Sequence, residues 1–317
     1  MKKILIYIIA IVAISFTMSI MLTKETKTNE VSTEVEQKVE NSFIKLLHKE
    51  TNNVEELGLE TYLYGVVSAE MPASYEMEAL KAQAVVARTY TKFKQKEKKH
   101  ENADICDDST CCQAWISKEN RFARWEEAER ESNWQKIINA VDSTAGKYVV
   151  YEGEPINAFF HSNSAGKTEL PINVWGGNYP YLGSVETSGE EAYSTYSSEV
   201  QISKDELIQK MLEKYSKFKI DFKQDDCMKI LEYNDSGRVK TLKVGNINLS
   251  GVEARTIFGL KSAKFEFMIE GDNIKFVTLG YGHGVGLSQS GSDSLAKQGK
   301  NFEEIIKHYY KNVEIVE

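Results

Sequence analysis

Residues 59–90, LETYLYGVVSAEMPASYEMEALKAQAVVARTY, decide how the rest of the chain is read. Leu59, Tyr62, Leu63, Val66 and Val67 recur at helical spacing. The pattern stops at Met71-Pro72, because proline disfavours a helical conformation in the residue before it. A second helix is expected directly afterwards, with Ser74 as its N-cap and Glu76 and Glu78 in a first turn where the dipole favours carboxylates. Met77, Leu80, Ala84 and Ala87 would form its one buried stripe. Glu70 stands at the break, beside Val66, Val67 and Met71. A carboxyl pressed against apolar side chains loses hydration and keeps its proton to higher pH, which suits a proton donor. The same spacing describes a solvated carboxylate at a helix end, and pattern alone favours that plainer reading.

Outward from this stretch the chain reads as α+β. Phe43 to Leu47 is expected as a first strand, and Lys92 to Lys99 as a solvated, charged end of the second helix. Asn133 to Thr144 reads as a helix that buries Trp134, Ile137, Ile138 and Val141, with Gly146 at its end. Tyr148–Tyr151 and Ile156–Phe160, joined through Gly153, read as a hairpin that delivers His161. Ser203 to Glu206 is a capping box opening a helix to about Tyr215, and turn signals follow at 234–237 and 270–273. No chemical constellation is expected within 199–277, which reads as an inserted docking subdomain. The catalytic body would then be 43–198 together with 278–317, closing on an amphipathic helix (Phe302, Ile305, Ile306, Tyr309) and a last strand.

Ile4 to Leu22 is a nearly uninterrupted apolar run behind Lys2 and Lys3. It is long enough to cross a bilayer, and the lysines favour a cytoplasmic N-terminus with the rest of the chain outside. A cleaved signal peptide is the alternative, but no small-x-small site follows the run, which favours a retained anchor over 1–22. Residues 23–42, rich in Thr, Glu and Lys without apolar period, read as a polar stalk. The net charge of −8 and the lack of a basic stripe argue against a nucleic-acid partner.

Two loops carry the remaining polar signals. FFHSNSAGKT (159–168) ends like a phosphate-binding loop, but His161 stands where its first glycine should be. GYGHGVGLSQSG (280–291) alternates glycines around His283, which permits positive φ angles and close approach of a ligand or of another backbone. Its GLSQS falls one glycine short of a nucleophile elbow. Between the helices, His100, Cys106, Cys111 and Cys112 offer four soft ligands for one tetrahedral zinc. A disulfide is the alternative in an oxidising location, although adjacent Cys111 and Cys112 suit a metal cage better. Cys227 is too remote in sequence to assign.

YLYGVVSAEMPASYEMEALKAQAVVARTY (62–90), FFHSNSAGKT, GYGHGVGLSQSG and EEIIKHYY (303–310) together resemble the stage II sporulation protein D family over about residues 43–317. That resemblance implies a lytic transglycosylase that cuts peptidoglycan glycan strands, with Glu70 as its acid. It implies a cleft walled on one side by His283, Ser288 and Gln289 and on the other by His161, Ser162 and Asn163. Arg88, on the helix face of Lys81, is then either a holder of a substrate oxygen or a surface charge. Some family members bind zinc beside the active site, so the metal would be structural and not required for the chemistry. The family works in engulfment during endospore formation, with the stage II sporulation protein P amidase and the membrane protein stage II sporulation protein M as partners. Family members commonly carry two glycines where this chain has Ala165-Gly166.

Overall fold

The computed structural model describes residues 43–317, so the expected anchor (1–22) and stalk (23–42) lie outside the described residues. Among the described residues no helix is long and apolar enough to cross a membrane. The fold is α+β, with helices and several small sheets. It opens on β1 (Phe43–His48), whose Ile44 and Leu46 point into the core. β2 (Asn53–Gly58) pairs with it antiparallel, Phe43 opposite Gly58 and His48 opposite Asn53. Nothing in the apolar pattern announces β2, because four of its six residues face solvent. β3 (Ile105–Cys106) adds in parallel to the other edge of β1.

Helix α1 (Leu59–Glu70) starts as β2 ends and stops where Met71 turns extended ahead of Pro72. Helix α2 (Met77–Glu97) has Glu76, not Ser74, as its N-cap, and no side chain of the cap residue bonds the first turn. The Glu76 N–H is instead accepted by Asp293 Oδ1 at 2.6 Å, a cap supplied from near the other end of the chain. The expected single stripe on α2 is also too narrow: burial runs without a break from Ala82 to Thr91, and Met77 is only half-buried. A helix packed on every side needs small residues where neighbours approach, and Ala82, Ala84 and Ala87 supply them. Of the lysines expected in solvent, Lys96, Lys98 and Lys99 are, Lys92 is half-buried, and Lys94 is buried over the Tyr90 ring.

After α3 (Lys118–Phe122), α4 (Arg130–Asp142) buries Trp134, Ile137 and Val141 and leaves Ile138 half-buried. β4 (Tyr148–Tyr151) turns through Glu152 and Gly153, at φ 51° and 81°, into β5 (Glu154–Pro155). Two left-handed residues are what a two-residue hairpin turn requires. The expected second strand, Ile156–Phe160, does not form. After one further bond from Ile156 to Val149, the Asn157 N–H goes to the Tyr181 hydroxyl and the Phe159 N–H turns back to Asn157. The chain leaves the hairpin there, and β6 (Phe160–His161) pairs in parallel with Leu287–Ser288.

From β7 (Ser197–Ser203) the chain builds a second cluster of buried side chains. The Ser203 hydroxyl accepts from Glu206 N at the start of α5 (Lys204–Lys214), while the Glu206 carboxylate pairs with Lys210. β8 (Met228–Tyr233), β9 (Val239–Val244) and β10 (Ile247–Ser250) form one antiparallel sheet. Helix α6 (Gly251–Phe258) leads to β11 (Phe265–Glu270) and β12 (Asn273–Leu279), an antiparallel pair whose β12 also pairs with β7. Leu207, Met211, Leu242, Phe258 and Phe276 fill the space between, and Cys227 is buried with them as a free thiol. The chain then returns to the first core as β13 (Leu287–Ser288), α7 (Gln289–Lys297), α8 (Phe302–Tyr309) and β14 (Glu314–Val316), the last paired with β4. Ile305, Ile306 and Tyr309 of α8 join Tyr62, Val66 and Leu80 in that core.

Candidate active site

Glu70 ends α1, and three parts of the chain meet on it. Its Oε1 accepts from the Ala114 N–H at 2.8 Å, and its Oε2 from Gln289 Nε2 at 3.3 Å. Gln289 Nε2 lies 3.4 Å from Gln83 Oε1 of α2, which ties the three side chains together. Burial raises the Glu70 carboxyl above its ordinary value, and the bonds from Ala114 and Gln289 offset this only in part. The residue as a whole is only partly buried, while its carboxyl is desolvated. Gly65 makes room beside it: a Cβ there would lie 2.2 Å from the Trp115 indole, one residue along from Ala114.

The glycine loop runs from Gly280 to Gly286 with all four glycines at positive φ, between 74° and 112°. At Gly286 the reason is also contact, since a Cβ would sit 2.0 Å from the Phe159 carbonyl. The loop lies along β6, and the ring centroids of His161 and His283 are 5.6 Å apart. His161 is buried and its Nδ1 donates to the Val285 carbonyl at 3.1 Å, leaving Nε2 without a partner. Burial first, and then the Arg238 charge, push its pKa down to about 3. His283 Nδ1 accepts from Val285 N, and burial, His161 and Arg255 hold it well below the ordinary histidine value. Both imidazoles are therefore neutral near pH 7. Phe159 and Trp175 stack with centroids 4.6 Å apart, and Trp175 lies 4.9 Å from His283 with about half of its surface exposed.

Several expected site residues sit elsewhere. Arg88 is fully buried: it pairs with Glu60 and bonds the Val141 and Lys147 carbonyls, so it is neither a surface charge nor free to hold a substrate. Ser288 is also buried, donating to Glu190 and capping α7 by accepting from Gly291 N. Asn163 turns inward to the Glu190 carbonyl and to Ala165 N, while Ser162 stays half-exposed beside His161. Glu78 is held by Lys81 and by Phe302 N, and Glu76 is an exposed helix cap. Neither stands with Glu70 as a second acid.

Glu190 is the residue no motif announced. Burial would raise its pKa, but bonds from Gly166 N, Ser288, Thr187 and Ser164 outweigh that and hold it ionised. It ties the 161–168 loop to the start of α7. The 199–277 segment adds polar ties to the same loop. Arg238 bonds the Ser164 and Lys167 carbonyls, and Asn234 and Ser236 bond Glu169.

His100, Cys106, Cys111 and Cys112 converge, their ligand atoms all within 4.8 Å of one another. His100 Nε2 is 3.4 Å from Cys112 Sγ and 3.9 Å from Cys111 Sγ, and the two sulfurs are 3.9 Å apart. A tetrahedral zinc with three thiolates and one imidazole has edges of roughly 3.5–3.8 Å, so the set fits the ion. All four cysteines are free thiols. Burial and the Lys99 charge lower the His100 pKa, favouring the neutral form a metal needs. This cluster anchors the segment whose Ala114 N–H meets Glu70.

A family model described as a stage II sporulation protein matches residues 47–151. Stage II sporulation protein D of Bacillus amyloliquefaciens is 36% identical over 269 residues, 84% of this chain and 76% of the relative. The protein of the same name from Bacillus subtilis is 35% identical over 268 residues, again 84% and 76%. An amidase enhancer of Bacillus subtilis is 30% identical over 297 residues, covering 78% of this chain and 39% of that protein.

Proposed function

The chain belongs to the stage II sporulation protein D family, and from that premise we propose that it is a membrane-anchored lytic transglycosylase of the cell wall. It would cleave the β-1,4 bond between N-acetylmuramic acid and N-acetylglucosamine in peptide-stripped glycan strands during engulfment. The observation that carries this reading is Glu70, a desolvated carboxyl held between Ala114 and Gln289. Protonated Glu70 donates to the glycosidic oxygen as the bond to the anomeric carbon breaks. The resulting carboxylate then takes the proton of the muramic C6 hydroxyl while that oxygen bonds the anomeric carbon, which closes a 1,6-anhydro ring and restores the acid. Because the nucleophile is internal, no second carboxylate is needed to activate water.

Zinc on His100, Cys106, Cys111 and Cys112 would act as a cross-link, neutralising three thiolates and fixing the loop. Glu70's bond from Ala114 depends on where that loop is held. In this reading the N-terminus is cytoplasmic, the body faces the septal space from the mother-cell membrane, an amidase (stage II sporulation protein P) strips the strands first, and stage II sporulation protein M is the membrane scaffold. A second reading, a non-catalytic glycan-binding enhancer of an amidase, has the amidase-enhancer relative in its favour. Incubating the purified chain alone with peptide-free glycan separates the two. Products ending in 1,6-anhydromuramic acid are expected; reducing ends would mean hydrolysis, and intact strands would favour the enhancer.

A further inference from the structure

The insert packs on the body so as to leave a cavity of about 250 Å³ between them. Asn234, Arg238 and Arg255 line it from the insert, and Asn173, Gly282 and His283 from the body. Most of its charge is already matched. The Glu169 carboxylate takes Leu170 N and Asn173 Nδ2 on one oxygen and Asn234 and Ser236 on the other. Arg238 bonds two carbonyls, and Lys240 on the rim pairs with Glu232 at 2.7 Å. Glu253, on the same helix as Arg255, is engaged by Ser250, Tyr215 and Lys214. Arg255 is half-buried at the cavity wall, and among the described residues no carboxylate lies within ion-pair reach of it. Withdrawing a guanidinium from water with no partner costs free energy, which an arriving anion would return.

We propose that this cavity binds a carboxylate, Arg255 donating two parallel N–H bonds to its two oxygens. Resting on the glycan reading above, the carboxylate is the free lactyl group of a muramoyl residue whose stem peptide has been removed. While the peptide is attached that group is a neutral amide bearing a chain, and it neither pairs with Arg255 nor fits the enclosed space. One loop joins the cavity to the acid, since His283 lines the first and Gln289 bonds the second. Six extended residues span at most about 20 Å, a reach that a short stretch of glycan covers.

The test is binding, with the full-length chain carrying Glu70→Gln so that nothing is cut. Labelled strands are compared in three forms: free lactyl carboxylate, its methyl ester, and intact peptide. Strands with the free carboxylate are expected to bind at least ~10-fold tighter than the ester, the usual worth of a charged hydrogen bond. Arg255→Gln removes that difference and leaves ester binding unchanged; Arg255→Lys keeps part of it. Equal binding of acid and ester, or a preference that survives Arg255→Gln, overturns the assignment. Arg255-dependent binding of peptide-bearing strands as tight as stripped ones would place the carboxylate on the peptide and overturn it too. A lost preference with normal 1,6-anhydro product from the unsubstituted chain sinks this inference alone, while Arg255-dependent preference without cleavage sinks only the Glu70 chemistry.

Discussion

Glu70 differs from the other acidic residues near it in having two modest partners and no cation. Glu190 is saturated by hydroxyls and amides, and Asp293 pairs with Lys297, bonds Tyr193 and caps α2, so both are tied to structure. Glu70→Gln is expected to keep fold and glycan binding while lowering turnover by about 10²–10⁴-fold, as loss of general acid-base help does; near-normal release of anhydro products would remove Glu70 from the mechanism. The same substitution has a stability signature. A carboxyl whose pKa is raised on folding binds its proton more tightly in the native state, so stability is full below about pH 4, near the unfolded value, and declines as pH rises through the folded value. Glu70→Gln cannot ionise, so its melting temperature should gain on the unsubstituted chain as pH climbs from 4 to 8. A variant that instead loses ground to the unsubstituted chain as pH rises would mean that the native site favours the carboxylate.

At the scale of elements, two loops and a helix end are held together by polar ties. Removing a metal bound by the His100–Cys112 cluster would loosen the Cys106–Ala114 segment. Zinc is expected at one ion per chain in protein purified without chelator. Chelation should lower the melting temperature by about 2–4 °C for each kcal/mol lost and reduce turnover with it; metal-free protein of unchanged stability and activity would assign the cysteines another role. The α1–α2 break and Glu70 at its end were legible because a proline ends an apolar period cleanly. Helix α7 was not, because its first turns bury Gln289, Ser290, Ser292 and Asp293, residues that carry no apolar signal. The Asp293 cap on Glu76 was hidden for the same reason that displaced Ser74: its donor and acceptor lie 217 residues apart. Ser288 was placed on the cleft wall by the family resemblance, although a serine before a new helix is also a cap, and here it serves that role.

Across the whole molecule, buried side chains from Ile202 to Phe276 gather in a cluster of their own. What the chain order could not reveal is that Asn234, Ser236 and Arg238 reach back to stiffen the loop after His161. Long-range polar contacts of this sort have no period. Arg88 shows the opposite error, a polar residue on a helix face that turned out to be a buried strut between α1, α4 and Lys147, just ahead of β4. Arg88→Met should cost about 3 kcal/mol, since it strands Glu60 and two carbonyls, while glycan affinity of the folded fraction stays as before. Weakened binding without loss of stability would restore it to the cleft. The most direct measurement is the titration of Glu70 itself, by carbon-detected NMR of glutamate-labelled protein with Glu70→Gln to assign the signal. A carboxyl that keeps its proton well above the ordinary glutamate value of about 4.3 is predicted, and one that ionises at or below that value would contradict the role given to it.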